Sequence, residues 1–155
     1  MESWKIATRR GLVSGAAASA LSTAALAALG KLGTGSAFAP TNAVSHYVWG
    51  EKAAHRDLPS MRYTALGYTI HHLSATFWAV LFERFMGERL DRMGAAPTLA
   101  AAGAASAVAC FADYQLTPER LQPGYEKRLS TPSLAIMYGA FGLGLAFGAL
   151  MIRRR

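Results

Sequence analysis

The chain alternates between long apolar stretches and shorter polar segments. A helix needs about 20 mostly apolar residues to cross roughly 30 Å of hydrocarbon, and four stretches reach or nearly reach this length. The polar segments between them that face the same side are 31–60, here the first connection, and 117–132, the second connection. The pattern predicts one all-α membrane domain over 1–155, a bundle of four transmembrane helices with spans at about 11–30, 61–86, 97–116 and 133–152.

Helix starts can be read from capping residues. Ser60 is expected to cap the second helix, because its hydroxyl can accept a bond from a free backbone N–H of the first turn. Pro97 suits the first turn of the third helix, and Thr131 followed by Pro132 forms a cap and first-turn pair for the fourth. These signals place the helix starts just outside the apolar runs.

The connections carry their own local signals. In the first connection, Thr41 can cap a short helix over 42–54 that presents Tyr47 and Trp49. Tyr and Trp favour the membrane–water boundary, so this helix is predicted to lie on the membrane surface as an interfacial helix. In the second connection, Gly124 after a proline predicts a turn.

Composition and charge support membrane insertion. The chain is 52% hydrophobic and 16% charged, which excludes intrinsic disorder, and its single cysteine excludes a disulfide-stapled domain. The net charge of +7 lies at the ends of the apolar runs, where it indicates topology and contact with the lipid bilayer. The sequence has no basic patch interleaved with aromatic residues, so no nucleic-acid partner is predicted.

The distribution of Lys and Arg predicts the orientation. With the N-terminus inside, nine of the 16 basic residues are cytoplasmic and seven lie outside. The outer bases share their loops with acids such as Glu51 and Glu119. By the positive-inside rule, both termini of a bacterial inner-membrane protein are expected in the cytoplasm.

A cleaved export signal is an alternative interpretation of residues 1–39. Arg9 and Arg10 before the first apolar run resemble a twin-arginine signal, and 37–39 have the small-x-small form of a cleavage site. The apolar run of 20 residues is longer than the 7–15 of a signal peptide, and Lys31 follows it. The chain is therefore expected to keep this segment as a span.

Small residues recur at helical spacing in several spans. Gly11 and Gly15 form such a pair in the first span, and Gly144 and Gly148 form one in the fourth. Small residues four apart let helix backbones approach closely in lipid. They predict either tight packing within the chain or a homo-oligomer seam through Gly144 and Gly148.

Ionisable groups at membrane depth are costly and are therefore candidates for ligand binding or proton relay. His72 shares a helix face with Thr76 and Glu83, and the 11-residue offset separates His72 from Glu83 by about 16 Å along the axis. The three side chains can line one polar track, while Asp113 closes the third span. His71 points about 100° away from His72 on a regular helix, so no metal site is predicted. The alternative is that each histidine bonds a neighbouring carbonyl or hydroxyl.

The remaining candidates lie in the two connections. With the predicted orientation both connections close over the periplasmic end of the bundle, where polar and aromatic residues converge. A binding site is expected there, with His72 at its floor and Asp113 at its rim. Its further candidates are His46, Trp49, Glu51, Arg120 and Tyr125.

Several segments carry a resemblance to a known group of proteins: 34–46, 49–50, 72–83, 113–114, 117–118 and 123–124. They resemble an uncharacterised family of small proteobacterial inner-membrane proteins. The resemblance implies the same localisation and no particular activity.

The expected function is association within the membrane, as a subunit or scaffold, because four helices joined by short loops and packed through small residues leave little room for a private cavity. No catalytic residue and no resident cofactor is predicted, and the common nucleotide-binding and hydrolase motifs are missing from the sequence. One alternative is a small oligomeric or proton-coupled transporter that uses His72, Glu83 and Asp113. A third is a haem- or quinone-linked redox subunit.

Overall fold

The computed structural model describes residues 1–153, which form helices and turns without a β-strand. The four long helices are α1 (Trp4–Thr34), α4 (Leu66–Leu90), α5 (Ala95–Phe111) and α6 (Thr131–Arg153). The first connection contains α2 (Ala39–Val44), α3 (His46–Trp49) and a 3₁₀ turn (Glu51–His55). A π-helical turn (Met61–Ala65) precedes α4, and another (Ala112–Leu116) follows α5. The second connection contains the 3₁₀ turns Glu119–Leu121 and Tyr125–Lys127.

Three of these helical segments are long and apolar enough to cross a membrane. They are Trp4–Thr34, Ala95–Leu116 and Thr131–Arg153. The chain is therefore a helical protein with membrane-spanning capacity. α4 has 25 residues, but charged residues concentrate in its last turns and lower its apolar character.

The observed helix ends correct some predicted boundaries. Ser60 does cap the second helix, since its Oγ accepts a bond from the Tyr63 N–H at 3.0 Å. Thr131 is not the cap of α6; it is the first helical residue, and Ser130 Oγ accepts the bond from Ser133 N–H at 3.4 Å. The long helices extend beyond the apolar runs because a helix can continue past the residues that contact hydrocarbon. α1, for example, begins at Trp4.

The first connection differs from the single surface helix that was predicted. Thr41 does not act as a cap, because α2 begins at Ala39 and Thr41 is its third residue. The chain breaks at Ser45 and again at Gly50, so two short helices and a 3₁₀ turn replace one helix over 42–54. All six residues of α2 are buried, so α2 does not present a face to a bilayer surface.

The structure divides into two compact units. The terminal unit contains Met1–Ser22, His72–Ala109 and α6 from Tyr138 onward. The connection unit contains Thr23–His71 and Cys110–Met137, and so holds both connections. Each long helix contributes residues to both units.

Small residues set the spacing of the helices in the terminal unit. A Cβ added at Gly148 would lie 2.5 Å from the Cα of Ser14, and one at Gly144 would lie 2.6 Å from the Cα of Ala18. α6 therefore contacts α1 backbone to backbone, which is possible only where side chains are minimal. Gly144 and Gly148, the glycines of the predicted homo-oligomer seam, therefore pack against α1 of the same chain.

Close approach also shapes the connection unit. A Cβ added at Gly67 would overlap the carbonyl oxygen of Thr41, so α4 contacts α2 at this point. Gly124 has φ +91°, a conformation that other residues rarely adopt, and this confirms the predicted turn. The turn brings the second connection against the ring of His46.

Candidate functional site

The framework of the candidate site is the buried side chain of Asn42. Its Nδ2 donates to the carbonyl oxygens of Arg56 at 2.9 Å and Leu58 at 3.1 Å. Its Oδ1 accepts a 2.6 Å bond from the hydroxyl of Thr64. A buried amide with all these bonds made is stabilising and directional, so Asn42 holds α2 against the end of the first connection.

His46 and Tyr47 join the first connection to the second. Nε2 of His46 lies 3.2 Å from the carbonyl oxygen of Arg120, and Nδ1 lies 2.9 Å from that of Ala43. Tyr47 donates its hydroxyl to the carbonyl oxygen of Leu121 at 2.6 Å. Carbonyl oxygens only accept, so His46 bonds to the two segments through its ring N–H groups, and Tyr47 through its hydroxyl.

Charged pairs reinforce the same junction. Lys127 donates to the carboxylate of Glu51, and this bond and charge lower the pKa of Glu51. Arg128 donates to the carbonyl oxygen of Ala54 at 2.7 Å and to the carboxylate of Asp57 at 2.6 Å. The two connections therefore form one continuous surface.

A groove of about 930 Å³ lies on this surface and is here called the loop groove. Its walls combine aromatic, aliphatic and charged side chains of both signs. It is lined by His46, Tyr47, Val48, Trp49, Gly50, Glu51, Pro118, Glu119, Arg120, Leu121 and Lys127.

A buried tyrosine–histidine pair lies in the same unit. The hydroxyl of Tyr125 and Nδ1 of His71 are 2.5 Å apart, and both side chains are buried. Burial, and next the charge of Asp113, raise the pKa of Tyr125. The same two causes, in the same order, raise the pKa of Tyr47 to about 12. The phenols therefore stay neutral, and Tyr47 acts as a hydrogen-bond donor.

The structure brings most of the predicted loop candidates together. His46, Trp49, Glu51 and Arg120 line the loop groove, while Tyr125 is buried on its bond to His71. Lys127 also lines the loop groove but was not among the predicted candidates. The signal available in the sequence was a basic residue in the second connection that could pair with Glu51 in the first. The backbone carbonyls that receive His46 and Tyr47 could not be found from the sequence, because any residue supplies a carbonyl.

The candidates that were predicted to lie at membrane depth belong to different units. His72, Thr76 and Glu83 belong to the terminal unit, and Asp113 belongs to the connection unit. Thr76 Oγ1 is buried and has no hydrogen-bond partner among residues 1–153. A site with His72 as its floor and Asp113 as its rim stays a prediction.

Glu83 takes part in an ion pair that the sequence did not predict. Arg153 donates from both terminal nitrogens to the two carboxylate oxygens of Glu83, at 3.2 and 2.7 Å. Nε of Arg153 bonds Asp91 at 2.9 Å, and Arg10 bonds Asp91 and Glu2 at 3.0 and 2.9 Å. These five residues form one charge cluster in the terminal unit. They lie far apart along the chain, so the sequence alone does not indicate that their charges pair.

The described part of the chain has no group of three His, Cys, Asp or Glu residues placed to hold a metal ion. Comparison of the chain with protein-family models, curated proteins and solved structures finds no match.

Proposed function

We propose that this chain is a four-span protein of the bacterial inner membrane with both termini in the cytoplasm, and that it acts by association through the loop groove. Three spans are apolar enough by composition, so the proposal depends on whether α4 also crosses. The 25 residues of α4 extend about 37 Å, which is sufficient for the hydrocarbon core.

The contacts between the connections support the crossing of α4. If α1, α5 and α6 crossed and α4 did not, the first connection would lie on one side of the membrane and the second on the other. Yet Nε2 of His46 and the carbonyl oxygen of Arg120 are 3.2 Å apart, and Arg128 is 2.6 Å from Asp57. Groups this close cannot be separated by roughly 30 Å of hydrocarbon, which supports the proposal that α4 crosses together with α5, an even number of spans between the two connections.

Reporter fusions test the topology. Fusions after Lys52 and after Arg128 should both report the periplasm, and a fusion after Met93 should report the cytoplasm. If the fusions after Lys52 and Arg128 report opposite sides of the membrane, the four-span proposal is contradicted, because the two connections could then not form the loop groove.

The composition of the loop groove supports association as the function. Tyr, Trp and Arg are the residues most often found at the energetic centre of protein interfaces, and Tyr47, Trp49 and Arg120 all line the groove. The wall residues are held by bonds between the two connections, so a partner would meet a preorganised surface at low entropic cost. The partner that fits is an extended segment of another membrane protein, because the groove is open and offers both charges.

Site-specific photo-crosslinking in the membrane tests this association. A photoreactive side chain at Val48, in the groove, is compared with one at Val108, on α5 outside it; the two valines are 57% and 58% exposed. A discrete adduct should form at Val48 and not at Val108. Failure to form an adduct at Val48, or the same adducts at both positions, would contradict the groove as the association surface.

The transporter alternative has weaker support. A proton-coupled path through Glu83 would require the carboxylate to exchange protons, but both of its oxygens accept bonds from Arg153. A haem-linked role for the chain would give the purified protein a Soret band, which an absorbance spectrum detects directly.

A further inference from the structure

Two arginines at the end of the first connection are held on aromatic rings. The guanidinium of Arg62 lies 4.1 Å from the centre of the Trp49 ring, and Trp49 Nε1 donates to the carbonyl oxygen of Arg62 at 2.9 Å. Arg56 and Arg62 also lie 5.5 and 5.6 Å from the centre of the Tyr63 ring. Stacking immobilises the face of a guanidinium and leaves its N–H edge able to bind an oxyanion.

The positive charge of these arginines is not neutralised locally. Within residues 1–153, neither Arg56 nor Arg62 makes an ion pair with a carboxylate. The acid nearest to them along the chain, Asp57, is bound by Arg128 at 2.6 Å. Two oriented guanidinium groups without a carboxylate form a surface that attracts phosphate.

Exposed apolar side chains stand beside the two arginines in the sequence. Leu58 is 81% exposed and Met61 is 85% exposed, and Met61 begins the π-helical turn that leads into α4. Exposure of two large aliphatic side chains next to two cations is unfavourable in water but suits a ligand with an anionic head and an apolar body. A free phosphate ion would leave Leu58 and Met61 uncovered.

We propose that Arg56, Arg62 and Tyr63 form a binding site for the phosphate headgroup of an anionic phospholipid, with Leu58 and Met61 against its acyl chains. We call this the arginine–aromatic site. It goes beyond the proposed association through the loop groove. Such a site fixes the depth of the first connection at the membrane boundary, since a headgroup bound by two arginines lies at the level of the interface.

The experiment titrates the purified full-length protein in a neutral detergent with phosphatidylglycerol and follows bound lipid by native mass spectrometry. The Arg56→Gln/Arg62→Gln variant should bind phosphatidylglycerol about 25-fold more weakly, roughly fivefold for each arginine. The matched control, Lys31→Gln/Lys52→Gln, removes two charges from exposed lysines of the same connection and should change affinity less than about twofold. Equal losses in both variants would reduce the effect to net charge and overturn the proposal.

A third variant separates the geometry of the site from its charge. Tyr63→Leu keeps both arginines and removes the ring that both guanidinium groups face, so binding should weaken about threefold. Unchanged binding by Tyr63→Leu would overturn the role of the aromatic ring. The unfolding temperature of Arg56→Gln/Arg62→Gln, measured in the same detergent, should stay at the parent value because both arginines are exposed.

Two further ligands distinguish the source of the phosphate. Phosphatidylcholine, which carries a phosphate but no net charge, should bind equally weakly to the parent protein and to Arg56→Gln/Arg62→Gln. Inorganic phosphate in large excess should not displace phosphatidylglycerol, because it cannot cover Leu58 and Met61. Displacement by inorganic phosphate would assign the site to free phosphate and overturn the lipid proposal.

Discussion

Replacement of Arg153 by methionine tests the charge cluster of the terminal unit. Glu83 is completely buried and the side chain of Arg153 is 11% exposed, and the two are joined by a bidentate pair of bonds. Arg153→Met keeps most of the side-chain volume but leaves the carboxylate of Glu83 buried without its counter-charge. Breaking a buried ion pair from one side costs about 3–5 kcal/mol. Loss of the bond to Asp91 adds little, because that carboxylate is 40% exposed.

The assay is thermal unfolding of the purified protein in mild detergent, followed by circular dichroism. For a chain of this size, about 3–5 kcal/mol corresponds to a fall of roughly 6–20 °C in the unfolding midpoint. Arg9→Met is the matched control, since Arg9 is exposed and makes no ion pair within residues 1–153. The control should change the free energy of unfolding by less than about 0.5 kcal/mol.

A second variant isolates the cause. Glu83→Gln combined with Arg153→Met removes the carboxylate that lacked a counter-charge, so most of the lost stability should return. The reasoning is refuted if Arg153→Met unfolds at the same temperature as Arg9→Met. It is also refuted if the double variant is less stable than Arg153→Met alone.

Three further predictions concern packing, alkaline pH and the buried tyrosine. Gly148→Ala should lower the free energy of unfolding by about 1–3 kcal/mol and lower the folded yield, because its Cβ would lie 2.5 Å from a backbone atom. Gly139→Ala is the control: no atom lies within 4 Å of its Cβ, so the change should be neutral or stabilising. The pKa of Tyr47 is raised from 10.0 to about 12 in the folded state, so its contribution to stability is complete below pH 10 and is lost as the pH rises through 12. Tyr47→Phe should therefore flatten the fall of the unfolding midpoint at alkaline pH. An unchanged dependence of the midpoint on pH would contradict this assignment. Tyr125→Phe deletes the bond to His71 and should cost about 1–2 kcal/mol in the same thermal assay, while an unchanged midpoint would show that the bond contributes nothing.

Some local features of the fold could be predicted because they depend on neighbouring residues only. The hydroxyl of Ser60 caps its helix by accepting a bond from the N–H of Tyr63, three residues later. Gly124 occupies a turn that requires positive φ. The cap at Thr41 was wrong because the local signal competed with tertiary contacts. α2 begins at Ala39, two residues before Thr41, and Asn42 and Ala43 are buried in it.

The candidate site was only partly predictable for a related reason. The residues of the connections with aromatic or charged side chains could be named, and four of them line the loop groove. What joins the connections is mostly side chain to backbone, as in the bonds of His46 and Tyr47 to carbonyl oxygens. A carbonyl has no sequence signature, so these bonds are invisible before the chain folds.

The apolar runs alone determine that the chain is helical and has the capacity to cross a membrane, because burial of backbone polar groups in hydrocarbon leaves few other options. Tertiary structure alone decided which small residues meet, since Gly148 finds Ser14 only when α6 packs on α1. It also decided the pairing of Glu83: Glu83 and Arg153 lie far apart along the chain, and pairing of their charges depends on the spatial arrangement of two helices.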